Sequence, residues 1–277
     1  MTPDQISMIA ELAKREAGLL FTPDKAYIIE GRIRPLLLAR AMQVEDLISA
    51  LRRGDEALKS TMVDALTNNE TSFFRDRTPF ALLRDRVLPA LAARPRDGVM
   101  RLWSAACSTG QEPYSMAMLI DGAAYARPNL AFDILATDVS ETCLTAAREG
   151  RYSTFEVQRG VPPGERARYF EAEDKHWRLR PDLRAQVRWR RFNLVKDNYD
   201  LGRFDVVFCR NVLIYFEQET RRRVLEKIAS SLAIDGYLFL GASESVLGSG
   251  DLFSPVPDAP GVYQSARAVA AGTRRIA

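Results

Sequence analysis

The order of apolar and polar positions divides the chain into a helical first quarter and a longer region in which strands alternate with helices. Within the first 20 residues, apolar side chains recur at the spacing of a helix: Ile6, Ile9, Ala10, Ala13 and Ala17. A second helix is predicted after Thr22-Pro23-Asp24, where Thr22 can cap the helix and Pro23 can lie in its first turn. Two shorter helices fit residues 44–52 and 55–67.

The pattern changes beyond a connecting helix predicted at 77–93. From about residue 97, short β-rich runs alternate with helical stretches: Val99–Trp103 and 111–125, Phe132–Thr137 and 140–149, Phe204–Cys209 and 217–233, then Tyr237–Leu240. This alternation predicts an α/β fold with a mostly parallel sheet and crossover helices. Ligands of such sheets bind at the carboxyl ends of the strands, so the segments that follow the strands are the candidates for a site.

Residues 150–192 interrupt this alternation. A stretch rich in Gly and Pro at 160–164 precedes two β-rich runs, Trp177–Arg180 and Val187–Phe192, which together predict an inserted hairpin-like unit. Between His176 and Arg191 there are six arginines and one aspartate, so the insertion carries a basic strand. From Ser265 onward the sequence has no periodic pattern, which predicts a loose tail.

Composition excludes several classes of function. With 277 residues, of which 47% are apolar and 27% charged, the chain has the composition of an ordinary globular protein of one or two domains. The net charge of +3 is too small to predict nucleic-acid binding by itself. A single histidine, His176, excludes a His-rich metal site, and we expect no metal cofactor.

The cysteines and the hydropathy indicate the compartment. Cys107, Cys143 and Cys209 are far apart and form no C-x-x-C motif, which is typical of reduced thiols in a cytosolic protein. No stretch approaches the roughly 18 apolar residues that a membrane span requires. We therefore expect a cytoplasmic protein without a membrane-inserted segment.

An acidic residue follows each of the first two predicted strands. After the first, Ser104–Pro113 supplies small residues and Gly110 for a sharp turn, but it lacks the G-x-G-x-x-G of dinucleotide-binding loops. Glu112 suits a cationic group of a ligand, such as an ammonium; the alternative is a helix-start carboxylate without a ligand. Asp138 follows the second strand, where an acid can accept both hydroxyls of a ribose; the alternative is a cap for the helix near Ser140. Asp138 lies 28 residues after Gly110, further than the usual gap of about 20.

Two other segments place polar groups near the same edge of the predicted sheet. Arg210 and Asn211 follow the buried run Phe204–Cys209, and an apolar turn with Tyr215 comes next. The alternative is an ordinary strand exit with Tyr215 in the core. Thr67–Asp76, between the helical unit and the sheet region, is polar, then aromatic, then charged. It fits either a plain interdomain loop or a lid that supplies groups to the crevice.

Together and in this order, these segments resemble the chemotaxis-receptor glutamate methyltransferases, the CheR family. The matching pieces are NNETSFFRD (68–76), LWSAACSTGQEPYSMAM (102–118), ATDVSETCLTAAREGRY (136–152), RFNL (191–194), FDVVFCRNVLIYF (204–216) and GYLFLGASES (236–245). The resemblance covers nearly the whole chain, and several of its motifs are long and nearly specific to that family.

The resemblance implies a fold and its boundaries. It implies an α/β, Rossmann-like sheet domain of the S-adenosylmethionine-dependent methyltransferases, with an all-α N-terminal domain and a small inserted β-subdomain. We place the helical domain and linker at 1–76 and the methyltransferase domain at 77–265. The insertion is placed at about 152–190, and the loose tail at 266–277.

The resemblance also implies the site. The cofactor is S-adenosylmethionine, which leaves as S-adenosylhomocysteine. The family's cofactor contacts correspond here to Asn69, Thr71, Arg75, Glu112, Asp138, Asn193, Leu194, Cys209 and Arg210, to which we add the neighbour Asn211. Arg75 and Tyr215 match the two residues beside the transferred methyl.

The implied substrates are glutamate side chains on the cytoplasmic helical bundle of a chemoreceptor. The basic face of the second helix (Arg32, Arg34 and Arg40) is then a docking surface, with solvated surface as the alternative. Residues 155–170 are more similar to members that do without tethering to a receptor C-terminal peptide. We expect a monomer in the cytoplasm, at receptor arrays, with no nucleic-acid partner.

Two other functions compete with this one. The basic insertion motivates a methyltransferase that acts on nucleic acid or a small molecule, but the strand end CRNVLIY lacks an N/D-P-P-Y-type motif. A non-catalytic, cofactor-sensing module on a receptor array is the third hypothesis. The presence of both Arg75 and Tyr215 argues against it.

Overall fold

The computed structural model describes residues 1–93, 98–122, 131–246 and 248–266. The first quarter is a helical unit, as predicted. Its helices are α1 (Pro3–Ala17), α2 (Ala26–Ala39), α3 (Val44–Arg52) and α4 (Glu56–Leu66). Fully buried apolar side chains from all four helices form its core, among them Ile9, Ile33, Leu47 and Met62.

The start of α2 differs from the prediction. Pro23–Lys25 form a short 3₁₀ turn, and the α-helix begins only at Ala26. Thr22 makes no capping hydrogen bond, because its hydroxyl pairs with the Asp24 carboxylate and lowers the pKa of that group. The expected cap at Thr22 was therefore wrong.

A continuous helical segment connects the helical unit to the sheet, close to the predicted 77–93. It consists of α5 (Thr78–Leu82), a π-helical turn (Leu83–Val87) and α6 (Leu88–Ala92). Pro89 has no amide hydrogen to donate and its ring crowds the carbonyl four residues earlier, which fits the wider turn before it.

A seven-stranded sheet forms the centre of the second region and confirms the α/β class. Along the chain its strands are β1 (Met100–Ala105), β2 (Phe132–Asp138), β6 (Val187–Arg191), β7 (Phe204–Cys209), β8 (Leu232–Leu240), β9 (Phe253–Pro255) and β10 (Val262–Ser265). The order across the sheet is β6-β2-β1-β7-β8-β10-β9. The first five strands are mutually parallel, and β10 and β9 pair antiparallel at the far edge. The strand order therefore reverses between β1 and β7, which is where α/β sheets bind their ligands.

Apolar layers cover both faces of the sheet. The principal flanking helices are α7 (Gln111–Gly122), α8 (Glu141–Glu149) and α12 (Gln218–Ser231). Alternate residues of a strand point to opposite faces, so Leu102 belongs to one apolar cluster and Trp103 to the other. Every residue of β7 is buried, as expected for a central parallel strand. The predicted extension of the helix over 123–125 lies outside the described residues.

The insertion is smaller and more helical than predicted. It contains β3 (Arg151–Ser153), α9 (Thr154–Gly160), α10 (Pro163–Tyr169), β4 (Phe170–Glu173), β5 (His176–Leu179) and α11 (Pro181–Arg184). The three strands form an antiparallel sheet in the order β3-β5-β4.

The run at 187–191, which we had assigned to the insertion, belongs to the main sheet. As β6 it pairs in parallel with β2, from Ile134 opposite Val187 to Asp138 opposite Arg191. Val187 is buried and Trp189 packs on the core, whereas Arg188 faces outward and pairs with a carboxylate of β2. The alternation of buried and exposed side chains over 187–191 is that of a half-buried edge strand of the main sheet. The predicted end of the insertion near residue 190 was therefore wrong.

The remaining chain-level predictions concern the tail and the membrane. Residues 267–277 lie outside the described part of the chain. Within the described part, no helix combines the length and the apolar character that a membrane span requires.

Candidate active site

A cavity lies at the carboxyl ends of β2, β1 and β7, at the point where the strand order reverses. It encloses about 900 Å³ of space outside protein atoms, part of which is open to solvent. Six parts of the chain line it. They are the end of α1, the linker before α5, the loop after β1 together with the start of α7, the end of β2 and the residue after it, and the residues that follow β6 and β7.

The cavity brings together most of the residues singled out from the sequence. Those that line it are Asn69, Thr71, Arg75, Glu112, Asp138, Asn193, Leu194, Arg210, Asn211 and Tyr215. Cys209, from which we expect a backbone contact and no thiol chemistry, is not among the lining residues, and its side chain is fully buried at the end of the central strand β7. Burial also raises the pKa of the Cys209 thiol well above its ordinary value.

The loop after β1 turns sharply to form the floor of the cavity. Ala106, Ser108 and Gly110 have φ angles of 62°, 51° and 92°. A Cβ on Gly110 would lie 2.9 Å from the side chains of Ala147 and Trp189, so only glycine fits this close approach. The turn aims the amide of Ser108 at the carboxylate of Asp138.

Asp138 ends β2 as a buried carboxylate. Its Oδ2 accepts the amide of Ser108 at 2.7 Å and its Oδ1 accepts the amide of Ser140 at 2.9 Å. Burial raises the pKa of Asp138, and the amide hydrogen bonds oppose this shift. A carboxylate has about four acceptor positions, so both oxygens can still accept a ligand hydroxyl. The alternative role for Asp138 was to cap the following helix, but the side chain of Ser140 caps α8.

Glu112, near the start of α7, is a second, largely buried carboxylate whose side chain is 12% exposed. Its Oε1 accepts the hydroxyl of Ser104 at 2.8 Å, and its Oε2 accepts Nη1 of Arg210 at 3.0 Å. Burial raises the pKa of Glu112, which the adjacent Arg210 guanidinium opposes. The carboxylate lines the cavity with acceptor positions to spare, as recognition of a cationic group requires.

Arg210 connects the end of β7 to the linker. Its side chain is only 1% exposed, and its Nη2 donates to the Arg75 carbonyl at 3.0 Å and to Asp76 Oδ2 at 2.7 Å. The linker turns sharply here, because Phe74, Asp76 and Arg77 all have positive φ angles. Arg210 therefore anchors the linker turn that carries Arg75. The position of Arg210 directly after β7 did not indicate this role.

The linker lies over the cavity as a roof. Two of the hydrogen bonds that hold it there join the Ser108 hydroxyl to the Asn69 carbonyl, at 2.8 Å, and the Phe74 amide to the Ser115 hydroxyl, at 2.9 Å. Nη1 of Arg75 donates to the carbonyl of Glu70 at 2.8 Å. A guanidinium has five N–H groups, so Arg75 keeps donors for a carboxylate in the cavity. The lid hypothesis for this segment fits these contacts better than a plain loop.

Tyr215 lines the cavity and is only partly buried, with its side chain packed against the edges of two apolar clusters. It ends the 3₁₀ turn Leu213–Tyr215, and its hydroxyl oxygen accepts Nδ2 of Asn68 at 2.7 Å. Its carbonyl accepts the amide of Leu20 at 2.9 Å. The linker, the turn after β7 and the N-terminal unit therefore meet at this residue.

The N-terminal helical unit forms one wall, which the sequence did not predict. Ala17 and Leu19, at the end of α1, line the cavity. Gly18 between them has φ 72°, and a Cβ there would come within 2.8 Å of Val195 and 3.0 Å of Phe216. In the sequence, the glycine directly after the first predicted helix was the one signal for a sharp turn at this point of the wall.

Asn193 serves mainly to hold this wall. Its Nδ2 donates to the carbonyl of Glu16 at 2.7 Å, and its Oδ1 accepts the amides of Val195 and Lys196. The ammonium of Lys196 pairs with the carboxylate of Glu16. The side chain predicted to contact the cofactor thus has little free hydrogen-bonding capacity.

The three arginines of the expected docking surface have different surroundings, and none of them lines the cavity. Arg32 donates to the carbonyl of Leu66 at 2.5 Å and ties α2 to α4. Arg40 donates to the hydroxyl of Thr61 at 3.2 Å. Arg34 is exposed, with no side-chain partner among the described residues.

Comparison with known proteins relates most of the chain to one family. The family profile described as "CheR methyltransferase, SAM binding domain" matches residues 69–262. Chemotaxis protein methyltransferase 1 of Pseudomonas aeruginosa is 39% identical over 261 residues, which cover 92% of this chain and 94% of the relative. Chemotaxis protein methyltransferase 1 of Vibrio cholerae is 40% identical over 252 residues, 89% of this chain and 91% of the relative. The protein of Pseudomonas putida named Chemotaxis protein methyltransferase Cher2 is 38% identical over 264 residues, covering 92% and 94%.

Proposed function

This chain belongs to the CheR methyltransferase family, and we propose that it transfers the methyl group of S-adenosylmethionine to glutamate side chains of chemoreceptor cytoplasmic domains. Family membership confirms the resemblance seen in the sequence and makes the chain an S-adenosylmethionine-dependent chemotaxis protein methyltransferase. The glutamate acceptor, the receptor partner, the cytoplasmic location and the roles of individual residues are the proposal.

One observation carries this proposal: the buried carboxylate of Asp138 and the largely buried one of Glu112 share a single cavity with Arg75 and Tyr215. S-adenosylmethionine has an ammonium group, a carboxylate and a ribose diol. The residues present fit these groups, because Glu112 suits the ammonium and Asp138 can accept the ribose hydroxyls.

The reaction places a limited demand on the protein. The bound cofactor supplies a methyl group on a positively charged sulfur, which keeps the electron pair of the broken C–S bond and becomes a neutral thioether. A glutamate acceptor has a pKa of about 4.3 and is ionised at neutral pH, so its oxygen forms the new O–C bond without a general base. This agrees with a chain whose single histidine lies in the insertion strand β5.

The protein's contribution is then to position the reactants and to exclude water. Holding donor and acceptor in line can contribute up to roughly 7–11 kcal/mol as effective molarity. In this arrangement Arg75 orients a carboxylate with its planar fork, either that of the acceptor glutamate or that of the cofactor's methionine part. Tyr215, held by Asn68, presents its ring or hydroxyl beside the reacting methyl.

The proposal is tested with tritium-labelled S-adenosylmethionine and a purified chemoreceptor signalling domain. We expect label on the receptor that is released as methanol by mild base, because glutamate methyl esters are base-labile. Label that withstands base, or no transfer to any receptor preparation, would contradict the proposal. Transfer to RNA alone would favour a nucleic-acid substrate, and cofactor binding without turnover would favour a sensing module.

Cofactor binding should weaken as the pH falls. Since burial raises the pKa values of Glu112 and Asp138, these groups take up protons closer to neutrality than ordinary carboxyls, and a protonated Glu112 cannot pair with an ammonium. Below the raised pKa, the Kd for S-adenosylhomocysteine should rise by up to about tenfold per pH unit. Calorimetric titrations at pH 7.5, 6.5 and 5.5 measure this, and Glu112→Gln should flatten the profile. Tighter binding at the lower pH would show that the carboxylates do not bind in ionised form.

Receptor docking through α2 should depend on Arg34. Because this arginine is exposed and unpaired among the described residues, Arg34→Glu should raise the KM for the receptor by about two- to fivefold, and kcat should stay the same. The effect should shrink at high salt, since surface charges are screened. Arg53→Glu, a matched charge reversal at the exposed end of α3, is the control. Equal effects of the two variants would show that α2 is solvated surface.

A further inference from the structure

Glu244 is a buried carboxylate directly beneath the turn that carries Tyr215. It lies just after β8, which is the neighbour of β7 in the sheet, and is 8% exposed. Five backbone amides donate to it. Oε2 accepts those of Asn211 and Gly241, both at 2.7 Å, and Oε1 accepts those of Val212 at 2.9 Å, Leu213 at 2.7 Å and Ile214 at 3.4 Å.

The shape of the turn explains why its amides need this acceptor. The chain leaves β7, reverses at Asn211 with φ 58°, and enters the 3₁₀ turn Leu213–Tyr215. The first amides of a helical turn have no backbone acceptor of their own. A single carboxylate accepts four consecutive ones, so the conformation from Asn211 to Ile214 depends on Glu244.

Gly241 supports the same arrangement. A Cβ at this position would lie 2.7 Å from Oε2 of Glu244 and 2.8 Å from Nδ2 of Asn211. Its φ is not in the left-handed region, so the glycine is required for space and not for its backbone angles. The carboxylate of Glu244 thereby connects the chain that follows β7 to the chain that follows β8, and the missing side chain of Gly241 leaves room for it.

The turn provides three residues of the cavity lining, Asn211, Val212 and Tyr215, whereas Glu244 itself does not line the cavity. We propose that Glu244 is a positioning residue, which fixes Tyr215 and Asn211 against the reacting methyl group. This inference rests on the proposed function for the role of Tyr215. The groups assigned to the ammonium and the ribose, Glu112 and Asp138, lie on other elements, so the loss of Glu244 should affect catalysis more than cofactor affinity.

The first test measures the anchoring without any substrate. In Glu244→Gln the side chain keeps its size. Whichever way the glutamine amide is oriented, however, its NH₂ group faces backbone amides that need an acceptor. Hydrogen exchange followed by mass spectrometry should show at least tenfold faster exchange in a peptide spanning 210–216 than in the wild type. Gly241→Ala, which crowds the same carboxylate, should do the same. The matched controls are Glu219→Gln, at an exposed site on α12, and Gly250→Ala, where a Cβ meets nothing within 4 Å.

The second test separates positioning from general stability. With labelled S-adenosylmethionine and a receptor domain, well below the melting temperature, Glu244→Gln should lower kcat by about 10–100-fold. The Kd for S-adenosylhomocysteine should change by less than about threefold. In a Tyr215→Phe background the effect of Glu244→Gln on kcat should be much smaller, because the two residues act through one turn. If Glu244→Gln does not fold, Gly241→Ala examines the same turn with the carboxylate retained.

The outcomes distinguish the two proposals. Unchanged exchange in both variants overturns the anchoring. The positioning role is overturned if Glu244→Gln speeds up amide exchange in 210–216 but leaves kcat unchanged. It is also overturned if the effects of Glu244→Gln and Tyr215→Phe on kcat are additive. If the amides of 210–216 exchange slowly in the wild type and faster in the variants, but the wild type methylates no receptor, the proposed function is contradicted. The anchoring role of Glu244 then still holds.

Discussion

Replacing Arg75 by alanine is expected to lower the turnover of methyl transfer by about 10²–10³-fold, the usual cost of removing one donor that acts on the reacting groups. The fold should persist, because Arg75 is only partly buried and its side chain makes one hydrogen bond among the described residues, to the carbonyl of Glu70. The change in unfolding free energy should stay within about 0.5 kcal/mol, as for surface substitutions in general. Steady-state kinetics and urea unfolding measure the two quantities.

Arg77→Ala is the matched control for this prediction. Arg77 lies two residues further along the linker, is exposed, and also has a positive φ, but it does not line the cavity. Its replacement should leave turnover within about twofold of the wild type. If Arg75→Ala unfolds, or if both variants lose activity equally, Arg75 maintains the linker and its proposed role at the methyl group is wrong.

Replacing Arg210 should have the largest effect on stability. Arg210→Leu leaves Glu112 buried without its cation and removes the anchor of the linker turn. Breaking a buried ion pair from one side costs about 3–5 kcal/mol, which urea unfolding of the cofactor-free protein can measure. Arg148→Leu, which breaks the exposed pair with Glu141, should cost at most about 1 kcal/mol.

A double variant identifies the cause. When Glu112→Gln is combined with Arg210→Leu, the carboxylate that remains next to position 210 is that of Asp76, which is 40% exposed and therefore hydrated. The double variant should therefore be more stable than Arg210→Leu alone. If the second substitution adds to the loss instead, the cost of Arg210→Leu comes from packing on the rings of Phe80 and Phe208 and not from the charge of Glu112.

Much of the fold followed from local patterns in the sequence. The predicted ranges for α3, α4 and β7 lie within one residue of the observed ones, because strong periodicity or a continuous apolar run sets these elements. The assignment of 187–191 failed because an edge strand with outward arginines has the same local pattern as a hairpin strand. Only pairing with β2, more than 40 residues earlier in the chain, decides between the two.

The candidate site was predictable where it depended on strand ends and not where it depended on long-range contacts. Asp138 ends a strand, Arg210 directly follows one and Glu112 lies just beyond the loop after another, and all three line the cavity. The wall formed by Ala17 and Leu19, and the amide-binding carboxylate of Glu244, depend on segments far away in sequence. The side chain of Cys209 is buried because the central strand has no exposed face, so the contact expected of this residue stays a prediction for its backbone.

The central claim is that Glu112 and Asp138 bind the cofactor, and isothermal titration with S-adenosylhomocysteine tests it most directly. We expect one binding site in the wild type, and a Kd raised at least tenfold in both Glu112→Gln and Asp138→Asn. Asp133→Asn, near the opposite end of β2, should bind as the wild type does, because Asp133 pairs with Arg101 and Arg188 away from the cavity. Wild-type affinity in the two site variants, or no binding to the wild-type protein, would contradict the claim.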